Sequence, residues 1–295
     1  DMTEPAEKPG RLFCFGMPKC GTTTVSGLLD AHPAICLHSQ KEPGDFLRSD
    51  ATDRLSGYAV DENTRWLADF TTTYGLSDKR DLFFTALRGA GIAPMQARYV
   101  LCLRDPVDLG RSYLRHIAER RFIDVTVQVD DVRREILSAC DMVGAVEHLQ
   151  RAGGPDAGFV VVFDDLINEA AQRDLAQELF AWLNLDQPAD AASVWANAGG
   201  SASRYPAVLD RMAGVLRRTD IVRGLSPATR ARLRSLFARP TKAQDLPPQL
   251  IEDTMGWLEE QETVQAARAL LQGLRSGPID KVVPKTGTCT NPFEF

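Results

Sequence analysis

The sequence predicts an α/β fold, in which a central parallel sheet is flanked by helices and followed by a mostly helical C-terminal part. Short apolar runs of strand length alternate with longer stretches whose apolar residues recur at helical spacing, as expected of βαβ units. After position 200 no further strand is predicted, and prolines interrupt an otherwise helical pattern. The predicted strands are 11–17, 34–37, 65–70, 98–105 and 158–166.

Start and stop signals define the helices between these strands. The first helix begins at Gly21 and is stopped by Pro33, and Pro106 can occupy the first turn of another helix. The amphipathic segment 81–91 closes on a glycine, a common helix terminator. The predicted helices are 21–32, 81–91, 107–121, 130–151 and 167–185, with one more inside 51–68.

Length and composition are those of a globular chain, 295 residues with 44% hydrophobic and 25% charged. We expect one domain spanning 1–295, with a flexible leader at 1–10 and a helical layer and tail at 200–295. The net charge of −6 argues against a nonspecific nucleic-acid binder, which normally carries a basic surface. Six arginines between positions 98 and 121 form a local cationic stretch that suits a small anionic ligand.

The six cysteines show no CxxC pair and no Cys/His grouping, so no metal site is predicted. Reduced thiols favour a cytoplasmic setting, and the Ala- and Arg-rich composition favours a bacterial source. No apolar stretch reaches the length of about 18 residues that a membrane span needs. Residues 1–10 lack the apolar run of a secretory signal, and Asp1 ahead of Met2 leaves open an upstream segment since removed.

The strand-to-helix turn at 15–24, FGMPKCGTTT, is the first candidate anion site. The first N–H groups of a helix have no intrahelical partner, and the helix dipole is positive there. Gly16 and Gly21 have the spacing of a Walker A loop, but Thr22 stands where that loop has its lysine. The cation of this turn is instead Lys19, inside the loop. The predicted anion-binding residues are Pro18, Lys19, Cys20, Gly21, Thr22, Thr23 and Thr24.

The segment 104–116, RDPVDLGRSYLRH, closes the clearest strand and forms a second candidate anion site. Ligands of α/β sheets bind at the carboxyl ends of strands, which is where Arg104 lies. Ser112 is eight residues further on, about two turns along the predicted helix. An arginine and a hydroxyl at this position can clamp a phosphate, the arginine in bidentate fashion.

Together these segments resemble sulfotransferases that use 3′-phosphoadenosine 5′-phosphosulfate (PAPS). PKCGTTTVSGLL followed by HP is similar to the family's 5′-phosphosulfate loop, and R-D-P-x5-S is similar to its 3′-phosphate motif. The resemblance covers roughly 11–186 and is closer to the glycan-directed and bacterial branch than to cytosolic phenol sulfotransferases. It implies a P-loop-like sheet, with Arg104 and Ser112 on the 3′-phosphate. Segment 159–186 resembles a structural block of the family, and the tail from Lys285 is similar to a loop that closes over PAPS.

The resemblance also implies a catalytic mechanism without metal. Lys19 would stabilise the leaving phosphate, and the product would be adenosine 3′,5′-bisphosphate. KEPGDF at 41–46 resembles a KEPxFF-like segment whose glutamate is the proposed base, so Glu42 is the predicted base. His38 is the alternative base, because imidazole titrates near neutrality.

The acceptor site departs from the family at residues 69–74. DFTTTY replaces an EKxPxY-like segment and puts Phe70 in place of a functional lysine, which argues against recognition of sulfated glycans by that route. Thr71, Thr73 and Tyr74 can still line an acceptor cleft. The acceptor is a hydroxyl or amine of a glycan, lipid or small metabolite, which the sequence does not specify. A P-loop kinase using ATP and magnesium is the alternative function, and a catalytically silent nucleotide-binding scaffold is a third.

Overall fold

The computed structural model describes residues 8–48, 57–120, 128–186 and 246–283. Within these ranges six strands form one sheet in the order β2-β3-β1-β4-β5-β6. The strands are β1 (Gly10–Gly16), β2 (Ile35–Leu37), β3 (Trp66–Asp69), β4 (Ala97–Leu103), β5 (Gly158–Val162) and β6 (Gly277–Pro278). All neighbouring pairs are parallel except β5 and β6. The predicted α/β class is therefore confirmed, and the short antiparallel strand β6 is an addition to it.

Helices connect the strands and continue into the C-terminal part. The helices are α1 (Thr22–Asp30), α2 (Arg80–Gly89), α3 (Pro106–Arg120), α4 (Val129–Cys140), α5 (Met142–Gly153), α6 (Phe163–Leu166), α7 (Glu169–Trp182), α8 (Pro248–Glu259), α9 (Glu262–Leu271) and α10 (Ile279–Val282). In the described residues after position 200 the chain is mainly helical, as predicted. The leader at 1–7, the segment 187–245 and the tail from Lys285 lie outside the described residues.

Two predicted boundaries were wrong. The helix predicted at 130–151 is interrupted at Asp141, whose backbone leaves the helical region (φ −75°, ψ 63°) and whose carboxylate accepts the Gly144 N–H (3.1 Å) as the N-cap of α5. Residues 163–166, predicted as the end of a strand, form α6. The helix predicted within 51–68 does not occur in 57–68, and residues 51–56 lie outside the described residues.

Helices cover both faces of the sheet. Parallel strands are joined by right-handed crossovers. The α1 connection leaves β1 toward β2, whereas the α2 connection passes from β3 to β4 in the opposite direction. The two connections therefore lie on opposite faces. On the α2 face, alternation places Phe13 and Phe15 together, and their ring centroids lie 5.3 Å from Phe83 and 5.4 Å from Phe84, respectively.

The α1 side is joined to the residues that follow α7. His32, next to the end of α1, lies with its ring 4.9 Å from Phe180, and its Nε2 is 2.8 Å from the carbonyl oxygen of Asp186. The indole of Trp66 donates to the carbonyl of Leu183 (3.1 Å). These partly buried hydrogen bonds join β3 and the end of α1 to α7 and the residues that follow it.

Replacing Phe83 with alanine tests the aromatic packing on the α2 face. Phe83 is fully buried, and its ring stacks on Tyr74 at 4.3 Å. We expect the variant to lose about 3–5 kcal/mol of unfolding free energy, because the cavity is surrounded by rigid rings. The control is Leu82→Ala at the neighbouring position, 51% exposed, with an expected change within about 0.5 kcal/mol. Urea unfolding measures both, and equal losses in the two variants would contradict the described packing.

Candidate functional site

The sheet topology opens a crevice between the carboxyl ends of β1 and β4. These strands are adjacent and parallel, yet the chain leaves β1 toward β2 on one side and β4 toward β5 on the other. Connections that diverge in this way leave a crevice at the strand ends, where α/β proteins bind ligands. The loop 17–21, called here the Lys19 loop, follows β1, and Arg104 follows β4.

The Lys19 loop has an unusual backbone. Gly16, Lys19 and Gly21 have φ values of 111°, 67° and 84°. A lysine at positive φ is uncommon, since its Cβ is crowded there. The Met17 N–H donates to the Cys102 carbonyl (2.8 Å), which fastens the loop to β4. The turn is therefore shaped by its own backbone and by the neighbouring strand.

The loop ends at the amino terminus of α1. The first bonds there are those of the Thr24 and Val25 N–H groups to the Gly21 carbonyl (2.9 and 3.2 Å). The N–H groups of Thr22 and Thr23 precede these bonds and have no acceptor inside the helix. The start of α1 can thus bind an anion, as expected for a helix amino terminus.

Cys20 forms contacts within the Lys19 loop. Its N–H donates to the Met17 carbonyl (3.3 Å), and its thiol contacts the Pro18 carbonyl (3.7 Å). Burial raises the pKa of the Cys20 thiol well above its usual value, and the nearby Arg104 lowers it only in part. Cys20 is therefore a neutral group that closes the turn.

Two further buried thiols lie near the loop. The contact of Cys102 with Cys14, together with burial, raises the Cys102 pKa well above its usual value. Burial raises the pKa of Cys140 to about 12, and the charge of Asp105 adds to this effect. The thiols of Cys102 and Cys140 are therefore neutral.

Arg104 crosses the crevice to the Lys19 loop. Its Nη1 donates to the Lys19 carbonyl (3.4 Å), and its guanidinium lies 4.2 Å from the centroid of the Phe163 ring. The Arg104 Nε atom is buried and has no hydrogen-bond partner among the described residues. A buried N–H donor without an acceptor is costly, and an anionic ligand would supply the acceptor. The structure therefore brings two of the predicted residues, Lys19 and Arg104, together.

Ser112 lies on α3 and is partly exposed. The hydrogen bonds of the described residues do not join it to Arg104, so its place beside the same anion stays a prediction. Asp105 immediately precedes α3, and its Oδ1 accepts the N–H groups of Val107 (2.9 Å) and Asp108 (3.1 Å). This cap holds the helix that carries Ser112.

A pocket of about 420 Å³ adjoins Arg104. Its lining includes a residue that the sequence analysis did not predict. This residue is Arg268 of α9, whose Nε lies 3.3 Å from Asp105 Oδ2. The segment after α9 is held to β5 because the Ser276 hydroxyl donates to Asp165 (2.7 Å) and accepts the Val162 N–H (2.8 Å). No local pattern predicts the contact of Arg268 with this site, because Asp105 is 163 residues away in sequence.

Glu42 and His38 occupy different environments in the loop after β2. Glu42 is exposed. His38 Nδ1 accepts the Gln40 N–H (3.0 Å), and its Nε2 faces Asp45 Oδ2 at 3.8 Å. The His38 ring also lies against Tyr58, with centroids 4.9 Å apart. Both nitrogens of His38 therefore face protein groups.

Asp69, at the end of β3, is a buried carboxylate that the sequence analysis did not single out. It is 1% exposed, and its Oδ1 accepts the N–H (2.9 Å) and hydroxyl (2.7 Å) of Thr71. Its Oδ2 accepts the hydroxyl of Tyr74 (2.6 Å). Burial raises the pKa of Asp69, although these hydrogen bonds oppose the shift. An aspartate two residues before a threonine is a recognisable turn signal.

The predicted acceptor-cleft role of Thr71 and Tyr74 is corrected by these contacts. Thr71 is 3% exposed and Tyr74 is fully buried, so both stabilise the turn from inside. The turn also touches the strand that precedes the Lys19 loop. A Cβ on Gly75 would lie 1.8 Å from the carbonyl oxygen of Phe15, so that only glycine permits this approach.

Within the described ranges, no group of three His, Cys, Asp or Glu side chains is arranged to hold a metal ion. The helices of the same ranges are too short or too polar to cross a membrane.

Comparison with protein-family models finds no match, and comparison with curated protein sequences finds none. Solved structures do match. They include a protein from Alicyclobacillus acidocaldarius (15% identity, 89% of this chain and 99% of that one, TM-score 0.46). Another is a domain of the Synechococcus PCC 7002 olefin synthase (16% identity, 88% of this chain and 99% of that one, TM-score 0.44). A third is a domain from the curacin biosynthetic pathway (14% identity, 86% of this chain and 99% of that one, TM-score 0.44). All three are sulfotransferases or sulfotransferase domains. Identities of this order do not indicate which donor or acceptor this chain uses.

Gly75→Ala tests the contact between the turn after β3 and the end of β1. The added methyl group meets a backbone oxygen that cannot rotate away, so we expect a loss of more than about 2 kcal/mol of unfolding free energy. Gly256→Ala is the matched control, since its Cβ would meet nothing within 4 Å inside α8. That variant should gain about 0.5–1 kcal/mol from helix propensity. Thermal unfolding measures both, and a stable Gly75→Ala variant would refute the close approach.

Proposed function

We propose that this chain is a PAPS-dependent sulfotransferase that transfers a sulfuryl group to a hydroxyl or amine acceptor. The observation that carries the proposal is the contact of Arg104 with the Lys19 loop across the β1–β4 crevice. PAPS carries negative charge at both its 5′-phosphosulfate and its 3′-phosphate. Two cationic segments that meet at one crevice suit a ligand with two such ends.

The residues divide between the two ends of the donor. The N–H groups of Thr22 and Thr23, with the Lys19 ammonium, suit the 5′-phosphosulfate, where charge develops on the leaving phosphate. The buried Arg104 Nε and its guanidinium suit the 3′-phosphate, with Ser112 as the second donor. In this arrangement lysine and the helix dipole supply the positive charge, so that the reaction needs no metal.

Glu42 is the base in this proposal. As the bond from sulfur to the acceptor oxygen or nitrogen forms and the bond to the leaving phosphate breaks, the acceptor proton passes to the Glu42 carboxylate. His38 suits this role less well, because its acceptor nitrogen Nδ1 already receives the Gln40 N–H. The exposed Glu42 carboxylate is accessible to an entering acceptor.

A kinase is the less favoured function. Its phosphate loop needs a lysine where this chain has Thr22, and that lysine stabilises the transferred phosphoryl group. We also propose a glycan, lipid or small metabolite as acceptor, with no nucleic-acid partner. The free cysteines among the described residues favour a reducing compartment such as the cytoplasm.

Isothermal titration with adenosine 3′,5′-bisphosphate tests the donor site. We expect binding without metal, in preference to ATP with magnesium. Arg104→Ala should weaken it by roughly 10–100-fold, because a charge-assisted contact is worth about 1.5–3 kcal/mol. Arg98→Ala is the control, since Arg98 lies near the opposite end of the same strand and donates to the Asp156 carbonyl. Preference for ATP with magnesium would favour the kinase, and equal effects of the two variants would remove Arg104 from the site.

Glu42→Gln tests the base. Transfer of labelled sulfuryl from PAPS to a panel of glycan, lipid, phenol and metabolite acceptors should fall by about 10²–10⁴-fold in kcat, as expected when a general base is removed. Affinity for adenosine 3′,5′-bisphosphate should not change. Glu62→Gln, an exposed position before β3, is the control and should keep full activity. Full activity of Glu42→Gln would exclude this base, and no transfer by the unmodified chain would favour the silent scaffold.

A further inference from the structure

The buried carboxylate of Asp69 is not used by the proposed chemistry, yet burying it is costly. Its side chain is almost fully excluded from solvent, and burial raises its pKa. Asp69 is satisfied by three donors from only two residues, Thr71 and Tyr74, both in the turn that follows β3. An apolar residue at this position would avoid the desolvation cost but would leave those donors without an acceptor.

The hydrogen bonds around Thr71 have a defined direction. A threonine hydroxyl has one proton, and Thr71 gives it to Asp69 Oδ1 at 2.7 Å. The Oγ1 atom of Thr71 in turn accepts the Gly44 N–H at 2.9 Å. Asp69 therefore orients the Thr71 hydroxyl so that the lone pairs of its oxygen face the loop after β2. In this orientation Thr71 binds the Gly44 amide of that loop.

This bond anchors the loop that carries Glu42. The loop starts at His38, whose N–H donates to the Ala68 carbonyl at 3.0 Å. It is held again at Gly44, two residues after Glu42, by Thr71. Glu42 thus lies on a short span between two attachments to the end of β3.

The loop is also fixed just beyond Gly44. Phe46 is buried, with its ring 5.2 Å from Phe13 of β1. The turn that Asp69 organises meets the same strand, where Gly75 abuts the carbonyl of Phe15. The turn after β3 therefore contacts both the loop after β2 and strand β1, which leads into the Lys19 loop.

We propose that Thr71, oriented by the buried Asp69, is a positioning residue that holds Glu42 in its working place. This inference rests on the proposed function, in which Glu42 is the base. A 1 Å displacement of a catalytic group can cost a large factor in rate while leaving the donor site intact. Thr71 should therefore affect turnover and not nucleotide binding.

Thr71→Val is the deciding variant, because Asp69→Ala leaves two buried hydroxyls unsatisfied and can fail to fold. Valine keeps the shape of threonine but cannot accept the Gly44 N–H. We expect kcat for sulfuryl transfer to fall at least tenfold, while the Kd for adenosine 3′,5′-bisphosphate stays within twofold. Thr71→Ser restores the hydroxyl and should recover most of kcat.

The matched control is Thr64→Val, before the other end of β3. Thr64 is also buried, accepts the Asp61 N–H (3.0 Å) and donates to the Asp61 carboxylate (2.8 Å). The same substitution there removes the same kinds of hydrogen bond, away from the Glu42 loop, and should leave kcat within twofold. Equal losses of kcat in Thr71→Val and Thr64→Val, or no recovery in Thr71→Ser, would overturn the positioning role.

Hydrogen exchange separates this inference from the proposed function. The Gly44 amide should exchange at least tenfold faster in Thr71→Val and at the normal rate in Thr64→Val. Unchanged exchange in Thr71→Val refutes the attachment whatever the activity. Absence of transfer by the unmodified chain refutes the proposed function and the positioning role with it, whereas faster Gly44 exchange would still establish the attachment.

Discussion

The parallel pairing of β1 with β4 at the centre of the sheet is the constraint on which the candidate site depends. These strands are distant in sequence, and their pairing places the Lys19 loop beside Arg104. The Met17 N–H completes the ladder by donating to the Cys102 carbonyl beyond the regular register. A shift of either strand by one residue would turn each of its side chains to the other face and would move Arg104 away from the Lys19 carbonyl.

The supports of the site are apolar and backbone contacts rather than surface charges. Phe13 and Phe15 hold β1 against α2, and the turn after β3 fits against the same strand through Gly75. Close-packed protein interiors transmit strain, so we expect that a substitution in this aromatic cluster would displace the loops at the strand ends. The position of Glu42 is therefore a property of the core as well as of its own loop.

The sheet could be predicted because each of its long strands is a continuous apolar run bounded by turn residues. The anion-binding turn could be predicted because glycine spacing and a strand-to-helix change are local features. Asp141 was missed because a single capping carboxylate interrupts a pattern that is otherwise helical throughout. Arg268 was missed for another reason, since only the fold brings its partner Asp105 near. Asp69 has local partners, but the contact of its turn with Gly44 likewise depends on the fold. Roles set by distant partners have little local signal.

The thiols around the Lys19 loop have a consequence for the electric field in the crevice. Because the pKa values of Cys20, Cys102 and Cys140 are all raised, these three buried thiols add no negative charge near the loop at neutral pH. A thiolate at any of these places would oppose the cations above it at short range and low dielectric. Protonated thiols instead act as small apolar groups, so that the carboxylates lining the pocket beside Arg104 gain no further negative neighbours from these cysteines.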